Sequence, residues 1–272
     1  MDLISTRRIL GVNFFTGSLD LAVELALSGI EVEAFPKAIR ENTQNAFLVV
    51  APSAPGLAVD LVKSDSYRNA LTTSEMALTD SGFMVLLWLA LTGEKLPRHS
   101  GLKFIRAVLQ RPELKNPGAV FWIMPSADEA ARNRKWLVSE GFPVSDEDIY
   151  LAPKYPPVGA LADLELLGRV KFRRPRLIVM GIGGGVQERL GLWLRERLDH
   201  HPSILCLGAA IAFLTGGQAN IPPWADRLML GWLLRLLSAP RRFWRRYWEA
   251  LQLAPLIWRY RDKLPPLDSS RQ

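Results

Sequence analysis

Short apolar runs alternate with helical patterns over the first two hundred residues, and this alternation constrains the fold more than any other feature of the chain. Runs rich in β-branched and aromatic residues predict strands, and the apolar spacing of the segments between them predicts helices. The predicted strands span residues 8–14, 47–51, 120–124, 176–180 and 204–207. The predicted helices span residues 18–28, 126–140 and 186–198. Strands separated by helices of this length predict a Rossmann-like α/β fold, a mostly parallel sheet with helices on both faces, which binds ligands at the carboxyl ends of its strands.

The balance of apolar and charged residues predicts a sizeable folded core. Hydrophobic residues make up 49% of the 272 residues and charged residues only 22%, which excludes wholesale disorder. Residues 82–91 and 203–214 are strongly apolar, but both stretches fall short of the roughly 20 residues that cross a bilayer. They predict a buried helix and a buried strand followed by a turn. The single cysteine, Cys206, allows no intrachain disulfide, and the start of the chain lacks a signal-peptide core, so we expect a protein of the cytoplasm.

A change of composition near Gly216 and Gly217 predicts two parts, a Rossmann-like core over residues 1–216 and a helical appendage over residues 217–272. Between Arg227 and Lys263 there are nine lysines and arginines but only two acidic residues. Such an end favours an anionic partner, which can be phosphate, acidic lipid or nucleic acid. Because no known nucleic-acid module accompanies the arginine cluster, we expect no nucleic acid as a partner. Residues 265–272 are expected to be disordered.

A helical projection divides the appendage into a basic side and an aromatic side. The basic side carries Arg241, Arg242, Arg245 and Arg246, and the opposite side carries Phe243, Trp244, Tyr247, Trp248 and Leu251. This separation predicts a helix that offers guanidinium groups to phosphate and aromatic rings to a membrane interface. The alternative is an ordinary C-terminal helix with a solvated arginine face.

A glycine-rich turn follows the predicted strand that ends at residue 180. Glycines at Gly181 and Gly183 let backbone amides approach a phosphate or ribose, and Gln187 and Glu188 occupy the first turn of the next helix. Val186 stands where the dinucleotide fingerprint needs its third glycine, so we do not expect that fingerprint's cofactor. A tight strand-to-helix turn without any ligand is the alternative.

Asp80 is the candidate general base. It follows a short apolar run over residues 76–79 and precedes Ser81, Gly82 and an apolar helix. An acid at the carboxyl end of a strand can take a proton from a substrate hydroxyl, whereas the alternative is an aspartate that caps the helix. The three histidines, His99, His200 and His201, lack metal-ligand spacing, so we expect neither a metal site nor a cofactor.

The order and spacing of these motifs resemble the WecG/TagA/CpsF group of bacterial glycosyltransferases over roughly residues 9–247. The matching positions are Ile9 to Val12, Asp80 and Gly82, Gly181, Gly183, Gln187 and Glu188, Gly208, Pro222, Trp224, Trp232, Arg235, Leu236, Pro240, Arg242, and Arg245 to Tyr247. The resemblance implies transfer of N-acetylmannosamine, its uronic acid or a related sugar from a UDP-sugar to a polyprenyl-diphosphate-linked acceptor, at the inner face of the cell membrane.

The same resemblance assigns roles to particular residues. It implies that Asp80 is the general base, and that Arg235, Arg242 and Arg245 fold over the site onto the donor diphosphate while the appendage contacts the membrane. Guanidinium groups can neutralise the departing UDP without a metal, and no Asp-x-Asp metal signature is present. The expected substrate-binding residues are Ser53, Gly82, Gly181, Gly183, Gln187 and Glu188.

Several positions depart from the family pattern. The usual Thr-x-Asn is represented by Ala51 and Ser53, and a Gly-Ser-Asp motif becomes Gly101-Leu102-Lys103. Four further replacements are Gly185 for proline, Ala212 for aspartate, Asn220 for arginine and Gly231 for glutamate. The prediction is an inverting, metal-independent hexosyltransferase of cell-surface polysaccharide synthesis. The alternative is a non-catalytic relative that binds a nucleotide sugar, a membrane or a partner enzyme. The sugar, the acceptor and homo-oligomer formation stay open.

Overall fold

The centre of the protein is an eight-stranded sheet. The structure, a computed structural model, describes residues 5–28, 46–159, 161–217, 244 and 248–268. The strands are β1 (Thr6–Ile9), β2 (Val12–Phe15), β3 (Phe47–Val50), β4 (Met76–Ala77), β5 (Val120–Met124), β6 (Ile149–Leu151), β7 (Leu177–Met180) and β8 (Ser203–Cys206). Their order is β1-β2-β4-β3-β8-β7-β5-β6. Only β1 and β2 pair antiparallel, and the other neighbouring strands run parallel. The predicted mostly parallel α/β sheet is therefore confirmed.

Nine α-helices longer than one turn surround the described sheet. They are α1 (Leu19–Ser28), α2 (Asp65–Thr72), α3 (Gly82–Thr92), α4 (Gly101–Val108), α5 (Ala127–Ser139), α6 (Leu164–Arg173), α7 (Val186–Arg195), α8 (Ala210–Leu214) and α9 (Leu253–Tyr260). A π-helical segment, Gly56–Asp60, continues through Leu61–Lys63 towards α2.

The strand register produces two hydrophobic layers. Val49, Leu205, Val179 and Trp122 lie side by side across four strands and pack with α1, α4, α5 and α8. The next residues along the same strands, Val50, Cys206, Met180 and Ile123, share the opposite face with α2, α3, α6, α7 and α9. Strands covered on both faces need apolar side chains at every position, which is why these runs are continuous. Helices on both faces are confirmed.

The first predicted strand, over residues 8–14, is wrong because the chain turns back within it. Leu10 and Gly11 have φ values of 49° and 81°, and they join β1 and β2 in a hairpin. A two-residue turn with positive φ at both positions matches the twist of antiparallel strands. The Leu10 and Gly11 amides donate to the carbonyls of Arg261 and Asp262. Hydrogen bonds to residues 251 positions away in sequence therefore support a turn that the apolar pattern does not reveal.

The other predicted elements agree with the structure within a few residues. Ser126 caps α5, and its hydroxyl accepts a hydrogen bond from the Glu129 amide; Gly141 follows that helix with a φ of 85°. The helix predicted over residues 186–198 ends at Arg195. The apolar stretch 82–91 is helical as predicted, but it is not fully buried, because Leu86 and Leu89 are 44% and 40% exposed.

The described C-terminal segment packs against the core. Leu253 and Ile257 of α9 are fully buried. Arg68 donates to the Pro265 carbonyl at 2.7 Å, and the Asp268 amide donates to the Val62 carbonyl at 2.8 Å. The disorder expected over residues 265–272 is therefore wrong for residues 265–268, because these backbone groups are bonded to the core; residues 269–272 lie outside the described chain. The division into two parts at residue 217 stays a prediction. Within the described residues, no helix has the length and apolarity that a membrane span requires.

Candidate active site

Four loops with candidate site residues meet at one edge of the sheet. Ser53 follows β3, Asp80 follows β4, the glycine turn follows β7 and Gly208 follows β8. These strands are neighbours and run parallel, so their carboxyl ends face the same side. Parallel α/β sheets bind their ligands at this edge. The structure thus brings together most of the candidate residues that it describes.

Asp80 lies outside the helix that follows it. The N-cap of α3 is Ser81, whose hydroxyl accepts a hydrogen bond from the Met84 amide at 3.2 Å. The Asp80 Oδ1 atom instead accepts a hydrogen bond from the Gly101 amide at 2.8 Å, which is the first residue of α4. The interpretation of Asp80 as the cap of α3 is therefore wrong. Its carboxylate is partly exposed and oriented by a different helix.

Hydrogen bonds connect the segment between α3 and α4 to the loop that contains Asp80. The Thr79 hydroxyl donates to the Pro97 carbonyl at 2.6 Å and accepts from the His99 amide at 3.0 Å. Arg98 Nε donates to the Asp80 carbonyl at 3.2 Å. His99 Nε2 lies 2.7 Å from the Gly17 carbonyl oxygen, where it can only donate. Burial lowers the pKa of His99, which favours the neutral ring with its proton on Nε2. These bonds fix the backbone on both sides of Asp80.

The start of α4 also contacts the loop after β8. A Cβ atom built on Gly101 would lie 3.5 Å from the Leu207 carbonyl oxygen and 3.8 Å from the Ala210 Cβ. The helix that binds the Asp80 carboxylate therefore lies beside the loop that contains Gly208, so close that an added methyl group on Gly101 would be in van der Waals contact with that loop.

The glycines of the turn after β7 serve different purposes. A Cβ on Gly181 would lie 3.2 Å from the Ile123 carbonyl oxygen, so Gly181 allows close packing between neighbouring strands. Gly185 has a φ of 87°, a conformation that favours glycine. Among the residues that the structure describes, a Cβ on Gly183 or Gly184 would meet no atom within 4 Å. The described part of the chain therefore leaves space beside the middle of the turn, where a ligand can approach the backbone.

Gln187 and Glu188 are buried and bonded to each other. Gln187 Nε2 donates to Glu188 Oε1 at 3.0 Å, and Gln187 Oε1 accepts from the Gly208 amide at 2.7 Å. Glu188 Oε2 accepts from the Gly185 amide at 2.7 Å. Only 2% of the surface of Gln187 and 1% of that of Glu188 is exposed to solvent. Their side chains therefore connect the glycine turn to the loop after β8.

The Glu188 carboxyl is held in an unusual electrostatic environment. Burial raises its pKa to about 7, a shift that the hydrogen bonds from Gln187 and Gly185 oppose and that nearby Asp60 reinforces. A carboxyl of this kind carries a proton over part of the neutral range, unlike an exposed glutamate. The charge between the two loops therefore depends on pH.

Arg189 is a buried residue of this edge that sequence reasoning missed. Its guanidinium donates to the carbonyls of Gly185, Gly159 and Pro156 at 2.9, 2.9 and 2.6 Å, so it ties the loop after β6 to the glycine turn. No pattern in the sequence distinguishes it from the exposed arginines. Its three carbonyl acceptors become visible only in the folded chain.

The remaining candidates lie at this edge or outside the described residues. The Ser53 hydroxyl accepts from the Gly56 amide at 3.4 Å at the start of the π-helical segment, and Gly82 is the first residue of α3. Arg235, Arg242 and Arg245 lie outside the described residues. Over the described chain, no three His, Cys, Asp or Glu residues are grouped as a metal site would require.

Comparison with known proteins identifies a family for the chain. A search of curated proteins found no match to the chain. The family model described as "Glycosyl transferase WecG/TagA/CpsF family" matches residues 21–266. This match includes both Asp80 and the glycine turn with Gln187 and Glu188. The chain belongs to the WecG/TagA/CpsF family of glycosyltransferases.

Proposed function

We propose that this protein is an inverting glycosyltransferase that moves a sugar from a UDP-sugar to a polyprenyl-diphosphate-linked acceptor in the synthesis of a cell-surface polysaccharide. The observation that carries the proposal is the shared edge of the sheet, where a partly exposed carboxylate and a glycine turn follow parallel strands and are each held by hydrogen bonds to neighbouring loops. Such a transfer needs a general base and a place where the phosphates of the donor can reach backbone amides.

Asp80 acts as the general base in this proposal. Its carboxylate takes the proton of the acceptor hydroxyl as the hydroxyl oxygen attacks the anomeric carbon of the donor sugar. The bond between that carbon and the diphosphate oxygen breaks on the opposite face, so the configuration is inverted and UDP leaves. The Gly101 amide holds Oδ1 in place, so the carboxylate keeps one orientation towards the acceptor.

The glycine turn binds the donor through its backbone. Gly183 and Gly184 face open space, and α7 begins directly behind them, so its N-terminus adds a favourable field for a phosphate or ribose. Gln187 and Glu188 position this turn against Gly208, because their side-chain atoms are bonded within the protein. Gly181, Gly82 and Ser53 shape the same edge.

In this proposal, arginine side chains neutralise the negative charge of the departing UDP. By resemblance to the family, Arg235, Arg242 and Arg245 bind the diphosphate, and guanidinium groups supply charge-assisted hydrogen bonds without a metal. The basic, tryptophan-rich end also brings the protein to the inner face of the cell membrane, where polyprenyl-linked acceptors are embedded.

A second candidate function rests on Lys103. A lysine occupies the first turn of α4, the helix that binds Asp80, at a position where the family motif has an aspartate. This exchange reverses one charge close to the proposed base. It supports a non-catalytic relative that binds a nucleotide sugar, a membrane or a partner enzyme without transferring sugar.

A panel of UDP-sugars tests the proposal. The protein is incubated with bacterial membranes and each donor, and the lipid products are analysed by mass. We expect one donor to give a lipid product heavier by one sugar residue, and UDP to raise the unfolding temperature by mass action. Stabilisation by UDP without any product supports the non-catalytic relative. Stabilisation by an oligonucleotide but not by UDP contradicts both functions.

A further inference from the structure

The buried side chain of His99 connects two turns at the carboxyl edge of the sheet. His99 is 7% exposed, and its Nε2 atom lies 2.7 Å from the carbonyl oxygen of Gly17. Gly17 follows β2, which runs parallel to β4, the strand before Asp80. The backbone amide of His99 donates to the Thr79 hydroxyl at 3.0 Å. His99 is therefore bonded both to the turn after β2 and to the loop that contains Asp80.

The turn after β2 is closely packed around the Gly17 carbonyl. A Cβ atom built on Gly17 would lie 2.5 Å from the Phe15 Cζ atom, so the backbone of Gly17 lies against the Phe15 ring. Phe15 is 2% exposed, and the centre of its ring is 5.8 Å from that of His99. Because protein interiors are densely packed, the Gly17 carbonyl cannot shift without displacing a buried ring.

The protonation state of His99 suits this bond. A carbonyl oxygen can only accept a hydrogen bond, so the Nε2 atom donates. Burial lowers the pKa of His99, a shift that the bond to Gly17 opposes and that the positive charge of Lys103 reinforces. The ring is therefore neutral, with its one proton on the nitrogen that faces Gly17.

The backbone after His99 leads directly to the Asp80 carboxylate. Ser100 caps α4, and its hydroxyl accepts a hydrogen bond from the Lys103 amide at 3.3 Å. The next amide, that of Gly101, donates to Asp80 Oδ1 at 2.8 Å. The His99 ring and the amide that orients the carboxylate thus belong to residues only two positions apart. A displacement of His99 therefore changes the direction of that amide.

We propose that His99 is a positioning residue of the transfer reaction, because its bond to the turn after β2 holds the Gly101 amide and thereby directs the Asp80 carboxylate towards the acceptor hydroxyl. The inference rests on the proposed function, in which Asp80 is the general base. His99 acts through Gly101 and not on the substrate. Because a small displacement of a reacting group can lower a rate about 10²-fold, losing the bond should lower kcat far more than it weakens UDP binding.

Two variants of similar side-chain length isolate the hydrogen bond. His99→Gln keeps an N–H donor, whereas His99→Met has none. We expect His99→Met to lower kcat by roughly 10- to 100-fold, with the KM of the donor and the affinity for UDP nearly unchanged. His99→Gln should restore most of the rate. The matched control is His200→Met, at a partly buried histidine before the amino end of β8, and it should retain the full rate.

A double-mutant cycle tests whether His99 acts through Asp80. In a protein that already contains Asp80→Asn, His99→Met should lower transfer by less than about twofold, because the base that it positions is gone. If His99→Met does not fold, Gly17→Ala takes its place, since the added methyl group displaces the same turn from the other side. Gly17→Ala should lower kcat in the unchanged background and have little further effect beside Asp80→Asn.

Amide hydrogen exchange, measured by NMR, tests the link without any transfer. The Gly101 amide should exchange faster in His99→Met than in the unchanged protein, and His99→Gln should restore slow exchange. This readout separates the inference from the proposed function. If the unchanged protein transfers no sugar, faster exchange in His99→Met alone supports the link between His99 and Asp80, and the missing product contradicts the proposed function.

Four outcomes would overturn the inference. The first is an unchanged kcat in a folded His99→Met protein, and the second is an equal loss of kcat in His99→Gln. The third is a pair of losses that multiply in the double-mutant cycle, which would show that His99 and Asp80 act independently. The fourth is exchange of the Gly101 amide at the same rate in all variants.

Discussion

Two glycine-containing turns at the same edge of the sheet use their acidic residues in opposite ways. After β4, Asp80 stays outside the next helix, is partly exposed and is held by one backbone amide. After β7, Glu188 lies inside the first turn of α7, is fully buried and accepts hydrogen bonds from Gly185 and Gln187. The position of each acid relative to the start of its helix therefore decides its role. An acid before the helix stays accessible from solvent, whereas an acid in the first turn is buried and connects loops.

The largest expected effect comes from Asp80, the partly exposed acid. Asp80→Asn removes the base but keeps the oxygen that accepts the Gly101 hydrogen bond, so turnover should fall by roughly 10²–10⁴ while the unfolding temperature changes little. Asp20→Asn, at an exposed position of α1, is the matched control. Transfer is measured as lipid product per unit time. Turnover of Asp80→Asn within a few fold of the control would refute the role of Asp80.

The buried acid should instead make stability depend on pH. Below about pH 4.5 Glu188 is neutral in the folded and the unfolded chain. Between that pH and about 7 the unfolded chain releases the proton while the folded chain retains it. The free energy of unfolding should therefore fall as the pH rises through this window, by about 3 kcal/mol at about 1.4 kcal/mol per unit, and then level off.

Glu188→Gln isolates this effect, because it retains one acceptor oxygen and cannot ionise. Urea unfolding of both proteins at several pH values gives the difference attributable to Glu188, and other titrating groups cancel in it. The difference between the two proteins should change over the window from pH 4.5 to about 7. A constant difference across that range would show that Glu188 ionises normally in the folded state.

Gln187→Ala should weaken the connection between the two loops rather than remove a ligand contact. It leaves the Gly208 amide and Glu188 Oε1 without their partner, which should cost about 1–3 kcal/mol of stability. UDP binding, measured by calorimetry, should weaken as the glycine turn loses its support. Unchanged UDP affinity would mean that the turn has only a structural role.

The smallest effects come from single methyl groups within the turn. Gly185→Ala places a side chain at a φ of 87° and should cost about 1 kcal/mol of stability. Gly184→Ala adds a methyl group where no atom of the described residues lies within 4 Å, so stability should change little while UDP affinity falls. Calorimetry and thermal unfolding measure both. If Gly184→Ala binds UDP normally, the open space beside this glycine does not hold the donor.

The parallel core could be predicted from the sequence because strands buried on both faces need unbroken apolar runs. Leu177–Met180 and Val120–Met124 are such runs, and the start of α5 was recognisable from Ser126. The hairpin at Leu10 and Gly11 could not be predicted, because apolar residues continue through the turn and its amides bond to the distant residues Arg261 and Asp262. Local patterns carry no information on such partners.

The candidate site was predictable to a similar degree. Asp80 and the glycine turn are recognisable from their positions after apolar runs, and the family match covers both. Ser81 rather than Asp80 caps α3, and Asp80 accepts a hydrogen bond from the Gly101 amide instead. This arrangement depends on how α3 and α4 pack against each other. The same is true of Arg189, since its three carbonyl acceptors come from two separate loops.

The sequence by itself determined the layered parallel sheet, the family and the positions of Asp80 and the glycine turn after apolar strands, because hydrophobic periodicity and motif spacing are local properties of the chain. Only the tertiary structure decided which acid is exposed, which is buried, and which apolar helix side remains on the surface. Those outcomes depend on desolvation and on hydrogen bonds between residues that are far apart in sequence. Both arise only when the strands align in the folded protein. Asp80 and Glu188 both follow an apolar strand in the sequence, but they differ in burial and in hydrogen bonding in the folded protein.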